Sequence, residues 1–103
     1  MAFETRGITE FDRLIHEPAR LAIMAVLWAC KSADFAYLLN ATELTKGNLS
    51  AHLRRLEEAG YITITKSFEG RYPNTTCALT PAGRKSFNTY RKQYLALAKY
   101  LQK

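Results

Sequence analysis

Apolar and polar positions along this 103-residue chain fall into a run of helical stretches, one alternating stretch and a long helical finish. Phe11, Leu14 and Ile15 share one side of a short amphipathic helix expected over 9–16. Pro18 then restarts the chain, because a first helical turn has no use for the N–H that proline lacks. The helix it opens runs to about Cys30, and Leu21, Ala22, Ile23, Ala25, Val26, Leu27 and Trp28 cover more than one stripe of it. Such a helix belongs in the middle of a core. After a polar break at 31–34, Phe35, Leu38 and Leu39 have helical spacing. A turn follows over 41–44, with Leu44 poised for burial. Thr45 can cap the next helix, in which Leu49, Leu53 and Leu56 recur at i, i+4 and i+7 and which Gly60 ends.

Beyond Gly60 the period changes to two: Tyr61, Thr63 and Thr65 alternate with Ile62, Ile64 and Lys66, which predicts a strand. A loop is expected over 68–74, where Gly70, Pro73 and Asn74 stand, and a second strand over 75–80 completes a hairpin. Thr80-Pro81 pairs a capping hydroxyl with an N1 proline, so a last helix begins there. Phe87, Tyr90, Tyr94, Leu97 and Leu101 alternate spacings of three and four along it. That seam needs an apolar partner surface, either the protein's own core or the same helix of a second subunit, and in a chain this small the second subunit is the expected one.

The elements define an α+β, mostly α chain of one domain over 1–103. A helix-turn-helix occupies about 34–59, a two-stranded hairpin about 61–80 and a C-terminal dimerisation helix about 81–102.

Charge sharpens this picture. The net charge is +6, but residues 1–53 carry five basic and six acidic side chains while residues 54–103 carry ten basic and three acidic. A basic second half faces a polyanion, either nucleic acid or an anionic membrane surface. The apolar run from Leu21 to Cys30 is about half the ~20 residues of a membrane span. The first residues, with Glu4 and Arg6, have no signal-peptide pattern, so a cytoplasmic location is expected. Cys30 and Cys77 form no CxxC pair, and neither His16 nor His52 has metal-site or catalytic-dyad partners in sequence, so no metal, no cofactor and two buried free thiols are expected. Phosphate loops, nucleophile elbows and HExxH are all missing, which points away from an enzyme.

The face of the second helix opposite Leu49, Leu53 and Leu56 carries Gly47, Asn48, Ala51, Arg54, Arg55 and Glu58, mostly small, polar and basic. A surface of that kind fits a DNA major groove. Lys46 and Asn48 are the candidates for base edges. Thr45 and Ser50 are candidates for phosphates, and Arg54 and Arg55 for neighbouring phosphates. Pairing of both arginines with Glu58 on a solvated face is the alternative. His52, at the edge of the buried face, is expected to make a structural hydrogen bond. In the hairpin, Lys66, Arg71 and Tyr72 flank Gly70 as candidates for the adjacent minor groove. Arg84, Lys85, Arg91 and Lys92 read as the solvated face of the last helix.

The stretch Thr45-Lys-Gly-Asn-Leu-Ser-Ala-His-Leu-Arg-Arg-Leu-Glu-Glu-Ala-Gly-Tyr-Ile62, with Leu79-Thr-Pro-Ala-Gly-Arg84 and the opening Leu14-Ile-His-Glu-Pro-Ala-Arg-Leu21, resembles winged-helix regulators of the MarR and ArsR kind. The resemblance runs from about Phe11 to Tyr100 and is greatest to the single-domain members. It implies a homodimer on a pseudo-palindromic double-stranded DNA site, usually as a repressor. Gly47 and Ala51 depart from the pattern, standing where other members place longer base-reading side chains. Two other functions fit the same elements. One is a protein-interaction module using the same surfaces. The other is a sensor with a ligand pocket between the terminal helices, lined by Trp28, Tyr90 and Tyr94.

Overall fold

The computed structural model of the chain describes residues 6–102. Its elements are α1 (Arg6–Thr9), α2 (Pro18–Ala29), β1 (Ala33–Asp34), α3 (Phe35–Thr42), α4 (Lys46–Glu58), β2 (Ile62–Glu69), β3 (Tyr72–Leu79) and α5 (Pro81–Leu101). This is a winged-helix fold with a long C-terminal helix. Its helix-turn-helix is α3–α4, its wing β2–β3 and its sheet antiparallel in the order β1-β3-β2.

Capping sets most of the helix starts. Glu17, Asp34, Thr45 and Thr80 each hold an extended backbone and accept, through a side-chain oxygen, the N–H of the third residue on. Pro18 and Pro81 occupy the first helical positions. Thr80 does more than cap, since its hydroxyl also donates to the carbonyl of Gly60 at 2.6 Å. The end of α4 and the start of α5 are thereby tied together.

Helix α2 is the hub, touching α3, α4, α5 and β3. Ile23, Met24 and Leu27 from α2 are fully buried with Leu38, Leu49, Leu56 and Cys77. Phe11 and Ile15 join them from the chain ahead of α2.

Three sequence expectations are corrected. The segment 9–16 is not a helix: α1 ends at Thr9, and the following turn is organised by the Asp12 carboxylate, which accepts from the N–H groups of Leu14 and Ile15 at 2.9 and 3.3 Å. Apolar spacing alone cannot distinguish such a turn, because an Asx-type bond offers the backbone an equally satisfied alternative. The break at 31–34 contains a strand, β1, whose Ala33 and Asp34 pair with Cys77 and Thr76. The expected loop at 68–74 is mostly strand as well. Glu69 pairs with Tyr72, so the connection is only Gly70 and Arg71. Gly70 supplies φ 65° at the first central position, the conformation a tight hairpin needs there. Pro73 is tolerated because β1 pairs β3 only at Thr76 and Cys77, leaving the backbone edge at Pro73 unclaimed.

Of the two thiols, Cys77 is buried and Cys30 is half-buried at the end of α2.

Candidate nucleic-acid interface

Helix α4 presents the candidate surface. Leu49, Leu53 and Leu56 are 0, 3 and 0% exposed, which locks one side of the helix into the core. Lys46, Gly47, Asn48, Ser50, Ala51, Arg54, Arg55 and Glu58 are all exposed. Thr45 is exposed too, but its hydroxyl already accepts the Asn48 N–H at 3.2 Å. Its remaining capacity is as a donor, the role a phosphate oxygen would use.

The rotation of α4 is held from behind. Arg20 of α2, only 9% exposed, donates to the Leu14 carbonyl and to Nδ1 of His52, the latter at 3.2 Å. Glu17 Oε1 lies 4.0 Å from the same imidazole nitrogen and accepts the Arg20 N–H. His52 therefore makes the structural hydrogen bond expected of it, and through it α2 grips α4.

An open cleft of about 620 Å³ separates α4 from the sheet. Ser50, Leu53, Arg54 and Glu57 line it from α4, Ile64, Lys66 and Thr75 from the sheet, and Phe35 from the start of α3. Tertiary structure thus brings Lys66 opposite Arg54 and Ser50, and not beside Gly70. Three residues, Ser67, Phe68 and Glu69, separate Lys66 from Gly70, four steps or about 13 Å at the rise of a β-strand. Arg71 and Tyr72 are at the wing tip, with Tyr72 77% exposed. Arg55 is exposed on α4 but does not line the cleft.

Two exposed aromatics of this region escape a reading based on charge and polarity. Tyr37 of α3 is 54% exposed and Phe68 of β2 is 74% exposed. Phe68 does have a signal in sequence, since it continues the parity of Ile62, Ile64 and Lys66.

At the far side, the α5 seam is divided. Phe87 and Tyr90 are 5 and 2% exposed, consumed by their own core: Phe87 packs on Trp28 with centroids 5.5 Å apart, and Tyr90 on Phe11 at 5.3 Å. Burial pushes the Tyr90 hydroxyl above its ordinary pKa, with the nearby Tyr94 adding to the effect. Leu97 is half-buried, while Tyr94 and Leu101 are exposed, together with Leu95 and Tyr100. Arg84 is exposed, as expected of a solvated face, while Arg91 is half-buried, and their guanidinium carbons lie 5.0 and 5.4 Å from the Trp28 ring. Among the described residues, no three His, Cys, Asp or Glu side chains are grouped to hold a metal, and no helix is long and apolar enough to cross a membrane.

A capped helix with one buried and one polar face, a preceding helix, and a basic hairpin beside them define a winged-helix DNA-binding protein of the regulator class. The chain belongs to the winged helix DNA-binding domain family, whose model matches residues 19–101. It is 32% identical over 90 residues to an uncharacterized protein of Methanocaldococcus jannaschii, covering 87% of this chain and 98% of that one. Among solved structures, a transcriptional regulator homologue from Pyrococcus horikoshii OT3 superposes with a TM-score of 0.86 at 28% identity, covering 93% of this chain and 97% of that one. A protein from Enterococcus faecalis V583 described as a transcriptional regulator of the MarR family shares the fold with a TM-score of 0.80 at 19% identity, over 99% of this chain and 92% of its own.

Proposed function

We propose that the chain is a homodimeric, sequence-specific duplex-DNA-binding transcriptional repressor, working in the cytoplasm by binding and not by catalysis. The observation that carries this reading is the outer face of α4, where eight exposed small, polar or basic positions back onto three buried leucines. In this reading α4 enters the major groove, with Lys46 and Asn48 on base edges. Thr45, Ser50, Arg54 and Arg55 meet phosphates, helped by the N–H groups at the helix start. Lys66 follows the backbone across the cleft, and Arg71 and Tyr72 reach the neighbouring minor groove. Gly47 and Ala51 put no long side chain into the groove, so phosphates, wing and dimer geometry supply much of the recognition.

The dimer is formed by the half of the α5 seam that the core does not consume, Tyr94, Leu97 and Leu101, with Leu95 and Tyr100 at its margin. Phe87 and Tyr90 support that surface from inside.

Selection of bound genomic fragments by the purified chain tests the proposal. A two-fold symmetric duplex, bound saturably and with steep salt dependence, is expected. Enrichment of no duplex over random DNA refutes it. Protein partners captured through the same arginines, with DNA affinity unchanged by their removal, would reassign the surface to protein interaction.

A second reading has its own observation. Among the described residues, Arg91 Nε is buried without a hydrogen-bond partner, beside an apolar hollow of about 140 Å³ lined by Leu21, Phe87, Tyr90, Arg91 and Tyr94. A small aromatic anion seated there would make the chain a ligand-responsive repressor, the ring against the tyrosines and the charge against the guanidinium. Quenching of Trp28 fluorescence by such a compound, with a coupled change in DNA affinity, is the expected sign.

A further inference from the structure

The wing carries an apolar side chain where the fold has no use for one. Residues paired across β2 and β3 share a face of the sheet, so the pairs Ile62–Leu79, Ile64–Cys77, Lys66–Thr75 and Phe68–Pro73 all point one way. The first two pairs are covered by the helices: Ile62 and Cys77 are 2 and 0% exposed, and Ile64 and Leu79 pack against the core. Lys66 and Thr75 line the cleft opposite α4. Phe68 and Pro73 lie one pair further out, past the cleft, and Phe68 is 74% exposed. Burial among the described residues therefore does not explain the phenylalanine.

The geometry points to Phe68 as a wedge that inserts between base pairs in the minor groove and bends the bound duplex. This rests on the DNA-binding reading and deepens it, turning the wing from a minor-groove contact into a device that deforms its target. Three features favour duplex DNA as the occupant. Phe68 is on the face of the hairpin that turns toward α4, so wing and helix address the same ligand. Lys66 on that face, Arg71 at the turn and Arg54 across the cleft make this side of the protein basic, against the carboxylates of Glu69 near the tip and Glu57 on the cleft wall. The hairpin narrows to the two residues Gly70 and Arg71, a shape suited to a groove about 6 Å wide. Apolar wedges of this kind partly unstack a base step and kink the duplex by roughly 20–90°. The bend concentrates specificity at a deformable pyrimidine–purine step that no side chain need read. It also compensates for the bare surface at Gly47 and Ala51.

The test uses the full chain and a duplex of about 40 base pairs carrying the sequence that the wild-type chain enriches from a random pool, a length that holds the roughly 20–30 base pairs of a typical bent site. Fluorescence resonance energy transfer between its ends reports bending, and 2-aminopurine beside the candidate step reports unstacking. Wild type is expected to shorten the end-to-end distance and brighten the 2-aminopurine. Phe68→Ala is expected to bind about ten-fold more weakly, to lose both signals, and to keep the wild-type melting temperature. Phe68→Leu, still a wedge, is expected to retain most of the bend. Replacing the flexible step by an A-tract is expected to weaken wild type and leave Phe68→Ala unchanged. If Phe68→Ala bends and unstacks the duplex as wild type does, the wedge is overturned while the DNA-binding reading stands. If wild type enriches no duplex at all, both fall. Loss of self-association or of phosphatidylglycerol-vesicle binding in Phe68→Ala, with the bend intact, overturns the wedge and assigns Phe68 to that other surface.

Discussion

Nη1 of Arg20 donates to Nδ1 of His52 across 3.2 Å, joining the first turn of α2 to the flank of α4. A guanidinium only donates, so Nδ1 is the acceptor of this bond. The same Arg20 satisfies the Leu14 carbonyl, and its own N–H goes to Glu17. Replacement by methionine keeps the aliphatic stem but leaves the Leu14 carbonyl and the His52 ring without this donor. Arg20→Met is expected to destabilise the fold by about 1–3 kcal/mol in urea unfolding. His52→Ala, at a half-buried position, is expected to cost less. A fully wild-type midpoint for Arg20→Met would show that the bond contributes nothing to stability.

Gly83 and Gly47 are both helical glycines with opposite expectations. A Cβ at Gly83 would meet the Tyr61 carbonyl oxygen at 1.9 Å and its carbon at 2.7 Å, backbone atoms that cannot step aside. Gly83→Ala must therefore push α5 off the start of β2, and a loss of at least about 2–3 kcal/mol is expected from overpacking of this kind. A Cβ at Gly47 meets nothing within 4 Å. Gly47→Ala is expected to be neutral or to stabilise by up to about 1 kcal/mol, since alanine loses less entropy in a helix. Thermal melts of the two variants measure both.

Alkaline pH should unfold the protein by a route that involves Cys77. Burial pushes this thiol from 9.0 up to about 11, with the negative charge of Glu57 adding to it. Tyr61 is also raised, first by burial and then by its hydrogen bond to Asp12, with Ser86 acting the other way. In each case the folded state holds the proton more tightly than the unfolded chain does. The stability this contributes is complete below the unfolded pKa and is lost as pH rises through the folded one. For Cys77 the window runs from 9.0 to about 11. Unfolding free energy measured across that window is expected to fall. Cys77→Ala is expected to fall less steeply, and to start about 1 kcal/mol lower at neutral pH because of the space it leaves.

Arg54 and Arg71 are far apart on the surface, one on the cleft wall and one at the wing tip, so their effects on DNA affinity should add. Removing the charge that neutralises one phosphate is expected to reduce the slope of log K against log salt by about 0.9. Titrations of the Arg54→Ala, Arg71→Ala and double variants at several salt concentrations check this. An unchanged slope in the double variant would remove both residues from the proposed interface.

Leu95 and Leu101 are 53 and 69% exposed on α5 beside Tyr94 at 50%. In the proposed dimer, Leu101→Glu combined with Leu95→Glu would bury like charges in an apolar contact. Sedimentation should then find a monomer with unchanged secondary structure. DNA affinity should also drop, since each half-site is held separately. A wild-type chain that sediments as a monomer at all concentrations would dispose of the dimer.

Most of the fold was legible because its signals are local. Capping residues, N1 prolines and the change of period after Gly60 act over a few residues, and they place α2, α4 and α5 to within one residue of where they lie. The misread segments are those in which a partner outside the apolar pattern decides. The turn at 10–17 depends on Asp12 bonding backbone two and three residues on, and β1 exists only because Cys77 and Thr76 come to lie beside it.

The candidate interface divides along the same line. By itself the sequence determined that α4 has one apolar and one polar, basic side, because a period of 3.6 residues converts spacing into faces. It also determined that the second half of the chain is basic. Only the tertiary structure decided that Lys66 stands opposite Arg54 and not at the tip, and that Phe87 and Tyr90 are used within their own core. It alone decided that Phe68 lies past the described elements that bury Ile62 and Cys77. Spacing says which side of an element is apolar, but how far the neighbouring elements extend determines which of those positions are covered.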